Sequence, residues 1–130
     1  MRVIKVYQPP GRENVIDRFL SDQDPRLARK LRRQFFILAH TPDDELKEPH
    51  YKHFSLERYS QFYEVREKRN VVVRVIFTIQ GGDILLLQPF IKKETRDTMR
   101  ALEQSIRMFT SIREKPELAV EYKFKKEDLQ

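Results

Sequence analysis

The sequence predicts an α+β fold: an N-terminal strand and two helices packed on an antiparallel β-meander, followed by a C-terminal helix and a candidate edge strand. Three observations carry this. Residues 51–93 are β-branched and aromatic runs broken at residues 67–70 and at Gly81 and Gly82, which is how a meander reads. Apolar residues on either side of that stretch recur at helical spacing. The length of 130 residues suits one domain that buries roughly two thirds of its unfolded surface.

In chain order, residues 2–8 alternate well enough for a first strand, stopped by Pro9, Pro10 and Gly11. Val15, Ile16, Phe19 and Leu20 share one side of a short helix. Asp24 before Pro25 starts a second, because the carboxylate caps free amides and proline sits where its missing N–H costs nothing. Leu27, Leu31, Phe35 and Leu38 form its buried stripe, and Pro42 is expected to end it before an acidic loop over residues 43–48.

Within the meander, Gly81 and Gly82 accept the positive φ angles of a two-residue hairpin loop. That loop sets Ile79 opposite Ile84, Phe77 opposite Leu86 and Arg74 opposite Pro89. Period-2 alternation puts Val71, Val73, Val75, Phe77 and Ile79 on one face and Val72, Arg74, Ile76 and Thr78 on the other. The preceding turn is two or three residues long. With a three-residue loop of Lys68, Arg69 and left-handed Asn70, Glu64 faces Arg74 and Arg66 falls on the same side. One sheet face would then be apolar, and the other would gather Arg66, Arg74 and Lys93 around a shallow patch. The charge of Arg74, set in a hydrophobic strand, must reach water, an anion or a carboxylate. The competing reading is a pair of solvated arginines, one bridged to Glu64.

After the meander, Met99, Leu102, Ile106 and Phe109 mark a helix over residues 95–113, with Glu103 and Arg107 as an i,i+4 pair. Val120, Tyr122 and Phe124 alternate with Glu121, Lys123 and Lys125, which suits an edge strand or a segment that pairs with a partner.

The net charge of +6 points to an acidic partner, nucleic acid before protein. Arg26, Arg29, Lys30, Arg32 and Arg33 crowd the second helix, either as a solvated face or as a phosphate-tracking surface. The absence of cysteine excludes disulfides and thiolate metal sites. No targeting segment or membrane-length apolar run is present, so a cytoplasmic protein is expected. No spacing suggests a metal site, and no Gly-rich phosphate loop or nucleophile elbow suggests a cofactor. Among the histidines, His53 is the candidate proton-transfer group, beside the reading of a surface residue with no role.

The run EPHYKHF, then FYEVR, then VVVRVIF, then the GG turn and DILLLQPFIKK, resembles the RelE/HigB superfamily of toxin–antitoxin toxins, closest to the HigB-like, phage-derived branch. The likeness covers residues 1–113, leaving 114–130 as a C-terminal extension. It implies a RelE-like fold and a metal-independent, ribosome-dependent mRNA endoribonuclease in which the RNA 2′-hydroxyl attacks the adjacent phosphate. It further implies that Arg66 and Arg74 bind the scissile phosphate and that Lys92 or Lys93 steadies the transition state or protonates the leaving oxygen. Lys52 and His53 become candidate base or RNA contacts. The expected partners are mRNA on the ribosome and a cognate antitoxin with a helix-turn-helix domain. The alternatives are a gyrase inhibitor of the same fold and a phage or mobile-element binding module. The chain departs from many active relatives in placing Glu94, Thr95, Arg96 and Asp97 where they carry Tyr or His.

Overall fold

A computed structural model describes residues 1–129. The chain runs β1 (Ile4–Tyr7), α1 (Val15–Leu20), α2 (Pro25–Ala39), β2 (Tyr51–His53), β3 (Phe62–Arg69), β4 (Val71–Gln80), β5 (Asp83–Ile91), α3 (Thr95–Glu114) and β6 (Ala119–Glu121), with short 3-10 turns between them. This is the expected α+β arrangement, edge strand included. The six strands form one sheet in the order β2-β3-β4-β5-β1-β6. All neighbours are antiparallel except β1, which runs parallel to β5.

The helices begin where the sequence places them. Asn14 caps α1 by accepting the Asp17 N–H at 2.8 Å, and Asp24 caps α2 by accepting the Arg26 N–H at 2.8 Å. The α2 stripe of Leu27, Leu31, Phe35 and Leu38 is fully buried against Val65, Val73, Val75, Phe77 and Leu86. On the other sheet face, Ala101, Leu102, Phe109 and Ile112 of α3 close over Phe62, Ile76, Leu85 and Leu87. The sheet is therefore sandwiched, with apolar contacts on both sides. The expected division into one apolar and one cationic face is corrected: the cationic patch occupies only the end of the α3 face that the helix leaves open.

Three further expectations are corrected. The two breaks within residues 51–93 predict three strands, and the structure holds a fourth, β2, which pairs with β3 from Tyr51↔Val65 to His53↔Tyr63. The β3–β4 turn is tighter than a three-residue loop. Asn70 is left-handed (φ 66), yet Arg69 already pairs with Val71, so Arg66 rather than Glu64 stands opposite Arg74. The β4–β5 register holds from Ile79↔Ile84 to Phe77↔Leu86 and then slips by one residue, giving Val75↔Pro89 and Arg74↔Phe90. A β-bulge causes the slip, with one extra residue on β5 opposite Ile76. It reverses the alternation beyond Leu87, and Lys92 takes the face expected of Lys93.

Beyond β6, Tyr122 is buried edge-on against Phe35 at 5.7 Å and donates its hydroxyl to Asp17 Oδ1 at 2.9 Å. Asp128 accepts from Arg32 Nε at 3.0 and 3.1 Å. The tail thus fastens α1 and α2. Gln130 lies outside the described residues.

Candidate nucleic-acid interface

The open end of the α3 face is a cavity of about 370 Å³. Arg66 and Arg74 come from β3 and β4, Lys52 from β2 and Lys92 from the residue after β5. The Lys92 N–H donates to the Val72 carbonyl at 2.9 Å, which continues the ladder and fixes its side chain on the Arg74 side. Phe54, Leu56, Met99 and Leu102 make the apolar wall, and Leu56 and Met99 remain 62% and 39% exposed. The site therefore joins a cationic end to an apolar side.

Between the arginines stands Glu64, fully buried on the same face of β3. Its Oε1 accepts from Arg66 Nε at 3.0 Å and Arg74 Nη1 at 2.9 Å. The exposed Glu48 lies 3.7 Å from Arg66 Nη2. Arg74 keeps 16% of its side-chain exposure and Arg66 23%, so both guanidiniums still meet the cavity. Burial pushes the Arg74 guanidinium below its ordinary value, against the pull of Glu64, and it remains a cation. The outcome lies between the two readings of the sequence: the carboxylate bridges both arginines, and neither is sealed away.

One rim of the cavity is braced from outside. Arg58 donates to Glu103 at 2.9 and 2.7 Å, and the Tyr59 hydroxyl donates to the same carboxylate at 2.6 Å. Hydrogen bonding from Arg58 holds Glu103 down to about 2. This corrects the expected Glu103–Arg107 pair: the Arg58 fork offers two parallel bonds that an i,i+4 neighbour does not match.

Other candidate residues lie apart. His53 follows Tyr51 on the opposite sheet face, where its ring stacks on Tyr63 at 4.3 Å and its Nε2 lies 2.6 Å from the Ser60 carbonyl. Lys93 is outside the cavity lining, and its backbone N–H donates to Asp97 Oδ2 at 2.9 Å. Arg26, Arg29 and Arg33 are exposed on α2, across the sheet from the cavity, and make no ion pair among the described residues. Lys30 is engaged by Glu67 at 3.2 Å. The sequence reading also missed His50, which shares a hollow of about 300 Å³ with Arg66 and Lys68 beside the cavity. Its place three residues before His53 was visible in the sequence, but the hollow it shares with Arg66 was not.

This small α+β domain therefore carries four cations on one cavity and a separate row of basic residues on α2, two surfaces that suit an anionic ligand. Residues 18–110 match the family described as "Phage derived protein Gp49-like (DUF891)", and the chain belongs to that family. Gp49-like proteins are a RelE/toxin-like family, which suggests a protein related to toxin–antitoxin systems. No curated protein and no solved structure matches the chain. Among the described residues, no helix is long and apolar enough to cross a membrane.

Proposed function

We propose that this chain is the toxin of a RelE/HigB-type toxin–antitoxin pair, a cytoplasmic endoribonuclease that cuts mRNA on the ribosome with no metal required. The observation that carries this reading is the convergence of Arg66, Arg74, Lys52 and Lys92 on one cavity. In the step it would serve, the RNA 2′-oxygen bonds to the adjacent phosphorus, the P–O5′ bond breaks and a 2′,3′-cyclic phosphate forms. The 2′-hydroxyl proton leaves to a base, and the O5′ leaving group takes one up. Negative charge builds on the non-bridging oxygens, and fixed cations stabilise it more strongly in a partly desolvated site than in water. Arg66 and Arg74 hold those oxygens, Lys92 meets the growing charge and Lys52 contacts the RNA. A helix-turn-helix antitoxin is the proposed restraint.

Lys92→Ala should lower cleavage of ribosome-bound mRNA roughly 100-fold, the usual loss for one transition-state donor, and restore growth to cells expressing the chain alone. Undiminished cleavage by a folded Lys92→Ala protein would overturn the reading. The second reading is a non-enzymatic module, including a gyrase inhibitor of the same fold. Neutralisation of part of the cationic charge by Glu64 favours it, as does the placement of His53 outside the cavity. Growth arrest with intact mRNA, with or without inhibited supercoiling by purified gyrase, would select it.

A further inference from the structure

Arg66 and Arg74 are direct partners across β3 and β4, and like charges opposite one another in a sheet repel. Glu64 lies two residues along β3 on their face, and one of its oxygens takes an N–H from each guanidinium. Its other oxygen, Oε2, is buried without a partner among the described residues, so the carboxylate is committed to these two arginines alone. A guanidinium carries five N–H donors, and Arg66 gives its inner Nε to the bridge while Arg74 gives one Nη1 hydrogen. No hydrogen bond takes the remaining Nη donors among the described residues, and the exposed Glu48, 3.7 Å from Arg66 Nη2, is near enough only for a loose ion pair that a ligand can displace.

We propose that Glu64 is a positioning residue for a bound phosphodiester: it pins the two guanidiniums at one spacing, aims their free donors into the cavity and limits the local charge so that RNA binds oriented. This rests on the phosphodiester reading above. Reach and charge are separable. Glu64→Gln keeps the size and an acceptor but loses the charge, whereas Glu64→Asp keeps the charge and is one methylene too short to serve both partners.

Both variants are tested in a background of Arg26→Ala, Arg29→Ala and Arg33→Ala, which removes the basic helix face from the measurement. Binding is read by anisotropy with a fluorescein-labelled single-stranded 2′-O-methyl RNA, which lacks the attacking hydroxyl. Cleavage is read with unmodified mRNA on ribosomes. Glu64→Gln should bind at least about twofold more tightly, with a log Kd against log salt slope steeper by about 0.7, yet cleave about tenfold more slowly. Glu64→Asp should bind with unchanged affinity and slope and also cleave more slowly. A purely structural role would lower the melting temperature and leave the salt slope alone. A folded Glu64→Gln protein with unchanged affinity and slope therefore overturns the inference. Should the parent protein cleave nothing while Glu64→Gln still steepens the slope, the nuclease reading fails and the positioning role stands.

If neither variant folds, arginine-labelled wild-type protein decides by NMR. On addition of the 2′-O-methyl RNA, the Arg66 Nε–H signal should stay in place while Nη signals move. Displacement of the Nε–H signal would show the bridge breaking and sink the proposal.

Discussion

Arg66 and Arg74 stand opposite each other in register and share a single buried oxygen of Glu64. The pair is both the centre of the candidate site and a structural element. Removing either arginine weakens compensation of a carboxylate that water does not reach. Arg74→Ala should cost about 2 kcal/mol, the scale of a lost charge-assisted hydrogen bond in a partly buried network. Arg66→Ala should cost less, because that side chain is the more exposed of the two. Urea denaturation midpoints at constant m-value check the order. Equal losses, or a larger loss for Arg66→Ala, would contradict it.

The histidines separate by position. His50 shares a hollow with Arg66, whereas His53 stacks on Tyr63 across the sheet. If the proposed mRNA cleavage draws its proton-transfer group from beside Arg66, His50→Ala should slow it by about 10²-fold, the usual contribution of such a group, and His53→Ala should leave the rate within about twofold. Measured rates in the reverse order would place proton transfer on the other face.

Arg26, Arg29 and Arg33 form an exposed row on α2, across the sheet from the cavity. Replacing all three by alanine should weaken binding to any single-stranded RNA alike and flatten the salt slope by up to about 2, near 0.7 for each phosphate no longer neutralised. The base preference of the residual binding should not change. A filter-binding series over several salt concentrations checks both, and an unchanged slope would mark the row as an ordinary solvated face.

Tyr122 gives the tail a signature at high pH. Burial first, and then the Asp17 carboxylate, push its phenol well above the ordinary 10.0. A raised folded-state value favours the neutral phenol, so this contribution is complete below pH 10 and is lost as pH rises toward the folded value. Tyr122→Phe should cost about 1.5 kcal/mol at neutral pH through the lost bond to Asp17, and its stability should fall less steeply above pH 10. Thermal melts of both proteins between pH 8 and 11 provide the comparison.

Short-range chemistry made much of this molecule legible in its sequence. Asp24 and Pro25 start α2, the Leu27, Leu31, Phe35 and Leu38 stripe faces the core, Gly81 and Gly82 turn the hairpin, and Asn70 takes the left-handed turn. Each depends on residues within a turn or two of one another, so local sterics and periodicity suffice. The three-residue loop expected at Asn70 put Arg66 and Arg74 on one face, and the tighter turn keeps them there because the two registers differ by two residues. The choice of Lys92 over Lys93, of Arg58 over Arg107 as the partner of Glu103, and of Glu64 as a bridge to both arginines was decided only by tertiary structure. One bulged residue in β5 inverts every later side chain, and a carboxylate selects partners by distances that packing alone fixes.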